Sequence, residues 1–164
     1  MPAKALIVLQ QASAPLSIDY DSNLNLSQQK KGVWRYTTIP KYSVALLNER
    51  NRWFTDLALT LQRSSNTNIS ADREDPAVGI GWQRELEKGS FSLNARYDKR
   101  SSRFTQFNTN AISDVDGTSV NKSLAANYSY ALTERLNFSI GADYTKVAFT
   151  DSSFVDSTSK TFNC

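Results

Sequence analysis

The sequence predicts an all-β protein built as an antiparallel up-and-down meander. The first observation is that apolar and polar residues alternate through most of the chain, which is the period of a β-strand with one buried face. The second is that short turns alternate with long polar connections along the chain. The third is that no stretch of about 18 consecutive apolar residues is present, so the sequence predicts no transmembrane helix.

Seven segments carry the alternation, and an eighth begins at Thr161. Most of them run for about 7–11 residues, and the longer ones match a tilted strand that crosses a bilayer. The residues between the apolar positions are mainly Asn, Ser, Asp, Gly, Arg and Gln, which suit a hydrated surface. The apolar positions are Leu16, Ile18 and Tyr20; Tyr42, Val44 and Leu46; Trp53, Leu57, Leu59 and Leu61; Val78, Ile80 and Trp82; Phe91, Leu93, Ala95 and Tyr97; Leu124, Ala126, Tyr128, Tyr130 and Leu132; and Leu136, Phe138, Ile140, Ala142 and Tyr144.

The connections differ systematically in length. Short turns are predicted at 48–51, 87–89 and 133–135, and long polar loops at 64–75, 99–121 and from 151 onward, with a first outer loop beginning at 28–34. Short turns on one side and long loops on the other are typical of a barrel in an outer membrane. The fold class predicted is therefore a partial transmembrane β-barrel of about seven to eight strands. We expect a fragment, because closed bacterial barrels have an even number of strands.

Residues 15–164 are predicted to form this single domain. Residues 1–14 allow two interpretations, a signal-peptide remnant or a disordered N-terminus. Lys4, the short apolar run 5–9 and the small residues at 12–14 resemble parts of a signal peptide. The apolar run is shorter than the roughly 7–15 residues of a functional signal.

Two sets of residues are candidates for functional surfaces. Aromatic side chains cluster near strand ends, where barrels carry aromatic belts at the membrane interfaces. The candidate belt residues are Trp53, Phe91, Tyr97, Tyr130, Phe138 and Tyr144. Charged residues at the polar positions are candidates for lining a lumen, since rings of charge set ion preference in pores. They are Asp19, Asp21, Lys41, Asp56, Glu85, Arg96, Asp98 and Asp143.

Composition argues against several function classes. The chain contains no histidine, which removes the usual general base and the commonest metal ligand, and we expect neither an enzyme nor a cofactor. The net charge of +3 comes from dispersed Lys and Arg residues, so no nucleic-acid partner is predicted. The segment 113–118 resembles part of a calcium loop but lacks its closing Glu, and no metal site is predicted. Cys164 is the single cysteine, so no disulfide forms within the chain.

A pattern-level resemblance accompanies these features. The segment 18–24 is similar to a strand, and the segment 128–138 to a hairpin, of the porin-like outer-membrane β-barrel proteins found beside exopolysaccharide and protein-sorting loci. The resemblance covers roughly 16–149. It implies an outer-membrane barrel connected with polysaccharide export, and it implies no catalytic residues. The early stop and the incomplete signal peptide depart from that group.

The sequence thus leads to two main functional hypotheses, beside a third in which the chain belongs to a barrel enzyme whose active site lies in a missing part of the barrel. The first is a non-enzymatic outer-membrane β-barrel of a Gram-negative bacterium, porin-like or part of a polysaccharide export or surface system. Its expected partners are outer-membrane lipid and polysaccharide, with the oligomeric state left open. The alternative is a soluble all-β carbohydrate-binding module, because a sandwich that buries its apolar positions between two sheets shows the same alternation.

Overall fold

The ten strands in the described part of the chain belong to one antiparallel sheet. The structure, a computed structural model, describes residues 6–22, 31–108, 111–133, 136–150 and 156–163, and it describes side chains outside 102–116. No helix occurs in these ranges. The strands are β1 (Ile7–Ser13), β2 (Leu16–Asp21), β3 (Val33–Thr38), β4 (Lys41–Leu47), β5 (Asn51–Ser64), β6 (Arg73–Leu86), β7 (Gly89–Asn108), β8 (Ala111–Thr133), β9 (Leu136–Phe149) and β10 (Ser157–Asn163).

Two prolines explain why ten strands are found where about seven to eight were predicted. β1 pairs with β4 and β2 pairs with β3 in one continuous register, broken only beside Pro15 and Pro40. Proline has no N–H to donate to a ladder, so the strand assignment stops at each one. The carbonyl groups still accept, because Ile39 N–H donates to Pro15 O and Leu59 N–H to Pro40 O, both at 3.1 Å. The ten strands therefore follow eight long, nearly continuous paths.

The order of strands confirms the predicted meander. From β4 to β10 each strand pairs antiparallel with the next along the chain, and β3 pairs with β5 beyond the end of β4. Two predicted short turns join β4 to β5 and β6 to β7 at the same end of the strands, which we call the short-turn end. The opposite end of the strands is the long-connection end. At the first short turn, Asn48 Oδ1 accepts hydrogen bonds from the backbone N–H groups of Arg50 (3.1 Å) and Asn51 (2.7 Å).

The prediction of a long loop at 99–121 was wrong. The segment forms the outer part of a β7–β8 hairpin that pairs as far as Asn108 with Ala111. The polar composition of the segment suits contact with water, and water can be contacted by a paired strand as well as by a loop. The segment contains no proline, and pairing as a two-stranded ribbon satisfies its backbone hydrogen-bonding groups.

Three other boundaries also differ from the expectation. Val33 and Trp34 begin β3, although the sequence placed them in the first outer loop. Ile7–Ser13 forms β1 and pairs with β4, so this part of 1–14 is an ordered strand; its origin as a signal remnant stays a prediction. The last strand begins at Ser157 rather than Thr161. Residues 1–5, 23–30, 134–135, 151–155 and Cys164, which include parts of the predicted first loop, third turn and last loop, lie outside the described residues.

No second layer of described structure covers the sheet. Among the described residues the buried apolar side chains are Val33 and Ile69 alone. Large apolar side chains in the middle of the sheet are half exposed, including Ile80 (52%) and Ile140 (50%). A β-sandwich buries such residues between two facing sheets. The described strands form one sheet that is not closed, so the sheet has an apolar face without a core.

Two glycines allow close approach between neighbouring strands. At Gly89, the first residue of β7, a Cβ atom would collide with the backbone carbonyl oxygen of Ser129 on β8. At Gly81 it would collide with the ring of Phe54, which lies directly opposite on β5. Gly79 differs, because its nearest neighbours would be side-chain atoms of Asp56 at 3.8 Å. Gly89 is therefore the position where the backbone itself leaves no room for a side chain.

We predict that Gly89→Ala lowers the free energy of unfolding by about 1–3 kcal/mol, because backbone atoms of β8 must move to admit the methyl group. The measurement is the urea midpoint under conditions in which the wild-type chain is folded. Gly79→Ala is the matched control, with an expected change below about 1 kcal/mol, since the site has room. Equal effects of the two substitutions would contradict the close approach at Gly89.

Candidate functional site

The register of the sheet sorts the side chains onto two chemically different faces. Directly opposed residues in neighbouring strands point to the same side. One such row crosses the sheet through Val8, Leu46, Trp53, Trp82, Leu93, Ala126, Ala142 and Phe162. The side that carries this row is the apolar face. The neighbouring positions, which include Phe54, Gly81 and Asn94, point to the other side, the polar face.

All six residues predicted for the aromatic belts lie on the apolar face. They are Trp53, Phe91, Tyr97, Tyr130, Phe138 and Tyr144. The structure adds aromatic residues that the sequence did not single out for a belt, namely Trp34, Tyr36 and Trp82. Trp34 and Tyr36 are found only when the register is known, whereas Trp82 is already among the alternating apolar positions of the sequence. The face remains accessible across the sheet, from Ile18 (54% exposed) to Phe162 (80%).

An aromatic cluster marks the apolar face near the short-turn end. The rings of Trp53 and Trp82 stack with centroids 5.2 Å apart, and Phe91 meets Trp82 edge-on at 5.4 Å. The indole N–H of Trp82 donates to Asn51 Oδ1 at 3.3 Å, at the first residue after the turn. Trp82 therefore presents an apolar body toward the sheet centre and a polar tip toward the turn. This arrangement suits a boundary between an apolar and an aqueous medium.

Toward the long-connection end, the apolar face is bounded by charged residues that run obliquely across the strands. Lys122 on β8 and Lys146 on β9 are direct partners. Lys99 on β7 lies one side-chain position farther out, and Glu74 on β6 and Arg63 on β5 lie farther out again. From one strand to the next the boundary moves outward by on the order of one to two residues, which is about the same distance as the spacing between neighbouring strands. The strands therefore cross this boundary at roughly 45°.

All eight residues predicted to line a lumen lie on the polar face. They are Asp19, Asp21, Lys41, Asp56, Glu85, Arg96, Asp98 and Asp143. A hollow of about 590 Å³ on this side is lined by Ser43, Arg52, Phe54, Asp56 and Gln83, among others. Lys41 and Asp56 line a smaller hollow of about 200 Å³ beside it. Both of these hollows therefore lie on the polar face. That its charged residues line a lumen stays a prediction.

Of these eight residues, Arg96 and Asp98 form an ion pair with each other. Asp98 is buried (3% exposed), and its carboxylate accepts from Arg96 Nε at 3.3 Å and contacts Arg100 Nε at 2.9 Å. Both arginine side chains are largely exposed. Asn121 lies directly opposite Asp98 on β8, and its buried Oδ1 has no hydrogen-bond partner. Asp98 thus holds the guanidinium groups of Arg96 and Arg100 on the polar face near the long-connection end.

A second polar contact beside this pair was missed from the sequence. Asp75 on β6 accepts hydrogen bonds from the backbone N–H of Ser101 (3.0 Å) and from its hydroxyl (2.6 Å). Arg73 donates to the Ser101 carbonyl oxygen at 2.9 Å. These side-chain bonds continue the β6–β7 connection where the backbone ladder ends at Ala77 and Asp98. Only the register brings Asp75 and Ser101 together, so no local sequence signal could have shown it.

Other kinds of site find no support in the described part of the chain. No group of three or more metal-ligating side chains occurs there. The segment 113–118 belongs to strand β8, and the side chains of its two aspartates lie outside the described ones. No helix among the described residues has the length and apolar character needed to cross a membrane.

Comparison with protein-family models, with curated proteins and with solved structures gives no match for this chain.

We predict that Asp98→Asn lowers the free energy of unfolding by about 1–3 kcal/mol, because Arg96 and Arg100 lose the charge that they share. Chemical denaturation of the folded protein measures the change. Asp143→Asn is the control on the same face, and we expect an effect within about 0.5 kcal/mol, because no hydrogen bond or ion pair involves that carboxylate in the described structure. A smaller loss for Asp98 than for Asp143 would refute the anchoring role.

Proposed function

We propose that the chain is part of a membrane-spanning β-barrel whose apolar face contacts lipid and whose polar face lines an aqueous conduit. In this proposal the protein is a porin-like, non-enzymatic component of the outer membrane of a Gram-negative bacterium. Barrels with short turns on one side and long connections on the other belong to that membrane. A role in polysaccharide export belongs to the same proposal, and its support is the pattern resemblance of the sequence.

The observation that carries the proposal is the uncovered apolar face. Soluble monomers rarely expose contiguous apolar patches of more than a few hundred Å². Here the apolar face extends without interruption from Ile18 on β2 through Ile80 on β6 to Ile140 on β9, each about half exposed. Exposure of this extent in water would be strongly unfavourable. Contact with lipid acyl chains removes the free-energy cost of exposing this face to water. It does so for the whole face, because lipid covers apolar surface without a specific binding partner.

The oblique boundary of the apolar face supports the same environment. Strands of membrane barrels tilt by about 35–45° from the barrel axis, so the edge of the bilayer cuts the hydrogen-bonded rows obliquely. The charged positions from Lys146 on β9 to Arg63 on β5 follow such a line. The aromatic cluster around Trp82 lies at the other side of the apolar band, where a second interface is expected.

The proposal requires that the outer edges of the sheet be paired. β1 and β10 each have one neighbour among the described strands. In lipid, every unpaired backbone group costs several kcal/mol. β1 and β10 run in opposite directions in the meander, so closure on each other and insertion of further antiparallel strands both preserve the pattern. Either arrangement satisfies the edges.

The soluble carbohydrate-binding sandwich has weaker support. That architecture needs two facing sheets, and the described strands form one. Among the described side chains no aromatic pair lies on the polar face, since the stacked rings of Trp53 and Trp82 belong to the apolar face.

The deciding experiment compares far-UV circular dichroism of the protein in detergent, in phosphatidylcholine vesicles and in lipid-free buffer. The proposal expects β-structure with detergent or lipid and its absence in buffer alone. A monomer that folds cooperatively in plain buffer would exclude the lipid-facing role.

We predict that Ile80→Arg lowers the stability of the vesicle-folded protein by about 2–4 kcal/mol, the cost of arginine at the bilayer midplane. Ile80 is 52% exposed, so the same substitution on a water-facing surface would be harmless. Gln83→Arg places arginine on the polar face of the same strand and is the matched control. Similar stabilities of the two variants, measured by urea unfolding from vesicles, would contradict a lipid-facing Ile80.

We predict a conducting protein with weak preference between cations and anions. The strands place seven acidic residues on the polar face, Asp19, Asp21, Asp56, Asp75, Glu85, Asp98 and Asp143. They place six basic residues there, Arg35, Lys41, Arg52, Arg73, Arg96 and Arg100. Because acidic and basic residues on the polar face are nearly equal in number, their net electrostatic field is weak. We therefore expect little selection between cations and anions.

Planar-bilayer recording under a salt gradient measures this preference from the reversal potential. A protein that inserts without conducting would show that side chains fill the space beside the polar face. A strongly shifted reversal potential would show that residues outside this set dominate the conduit.

A further inference from the structure

Four lysines form a continuous row across four neighbouring strands on the apolar face. Lys122 on β8 and Lys146 on β9 are direct cross-strand partners. Lys99 on β7 is opposite Val120, and Lys160 on β10 is opposite Tyr144, so each lies diagonally next to a member of that pair. Lys122, Lys146 and Lys160 are exposed and Lys99 is half-buried.

The row lacks neutralising partners within the described structure. None of the four lysines makes an ion pair or hydrogen bond with a described residue. Glu74 is the single carboxylate on the apolar face among the described side chains, and it pairs with Arg63. Like charges directly opposite in a sheet are destabilising. The direct opposition of Lys122 and Lys146 is therefore unfavourable, and an anion bound between the two side chains would relieve it.

The surroundings of the row show which kind of anion fits. On the inner side of the row the apolar face continues with Tyr97, Leu124 and Tyr144, each more than one-third exposed. An anion bound to the lysines would therefore sit at the edge of an apolar surface. A molecule with a charged head and an apolar body matches both parts, and a free anion or an acidic protein would leave the apolar part uncovered.

We propose that Lys99, Lys122, Lys146 and Lys160 form a binding surface for the phosphate headgroups of anionic lipids. The surface lies at the long-connection end of the apolar face, and this inference rests on the proposed lipid-facing role of that face. Lysine ammonium groups are common ligands of phosphate. Each lysine near an anionic membrane surface is attracted to it electrostatically, and the contributions of the four lysines are similar in size. The row thereby holds the strands at a defined depth at one of the two interfaces.

The test compares wild type with the double variant Lys122→Gln/Lys146→Gln in two kinds of vesicle. One contains phosphatidylcholine alone, and the other contains phosphatidylcholine mixed with phosphatidylglycerol. The ratio of folded protein recovered by flotation from the two vesicles measures the headgroup preference. We expect the double variant to reduce the preference about 30-fold, as removal of two lysines from an anionic surface predicts. Lys31→Gln/Lys88→Gln, two exposed residues outside the strands, is the charge-matched control and should keep most of the preference.

Thermal unfolding supplies a second readout that a merely structural role would not reproduce. In neutral detergent the double variant should unfold at a higher temperature than wild type, because the repulsion between the two lysines is gone. In phosphatidylglycerol-containing vesicles the order should reverse, because the bound headgroups are lost. Lys122→Arg/Lys146→Arg should behave like wild type in both media.

Four outcomes would overturn the inference. The double variant could keep the headgroup preference of wild type, or it could be destabilised equally in both media. Inorganic phosphate could stabilise the detergent-folded protein as strongly as the anionic lipid does, which would indicate a site for free anions. Folding into phosphatidylcholine vesicles without any headgroup preference would refute the lysine surface and leave the membrane barrel intact. Folding in lipid-free buffer would instead refute the proposed function itself.

Discussion

The register of the sheet, which carries one row of side chains from the first strand to the last, is the constraint on which the other features depend. Because side chains alternate between two sides of a strand, a slip of one residue anywhere would exchange the two faces beyond it. The ladders keep Trp53, Trp82 and Leu93 in one row, and the row continues to the last strand. The register shift that does occur, between Ala131 and Thr133, lies at the end of β8, where little of the ladder follows. One alternation therefore sorts the side chains onto the same two faces across the whole described sheet.

The alternation also separates the side chains of the sheet by size. On β6 the apolar face carries Val78, Ile80 and Trp82, whereas the polar face carries Ala77, Gly79 and Gly81. Bulky side chains need more space on the convex side of a curved sheet, and small residues permit the concave side to close in. The hollow beside Phe54 and Asp56 lies on the side with the small residues. Gly81 leaves room there for the ring of Phe54, so the glycine serves packing across β5 and β6.

Period-two alternation is local, and the sequence predicted correctly what depends on it alone. It placed the candidate belt and lumen residues on opposite faces, as with Tyr97 and Asp98, and it identified the short turns at 48–51 and 87–89. It could not predict that 99–121 is a paired ribbon, because polar residues on both sides of a strand leave no alternation. The same spacing puts Arg96, Asp98 and Arg100 on one face, but the burial of Asp98, which makes it the shared partner of both arginines, depends on the neighbouring strands and could not be predicted.

The two boundaries of the apolar face differ in chemistry, and the difference follows from the topology. At the short-turn end the strands reverse at once, and the boundary is made by aromatic rings such as Trp82, by Asn51 at the start of β5 and by the exposed Arg84. At the other end the strands continue past the apolar band, and they carry a longer row of charged side chains there. Lys122 and Lys146 occupy this end, although facing lysines weaken an isolated sheet. A pair that is unfavourable in the isolated sheet is reasonable where an anionic surface meets only one of the two boundaries. The asymmetry of the connections and the asymmetry of charge would then have one origin, a fixed orientation of the sheet between two unlike interfaces.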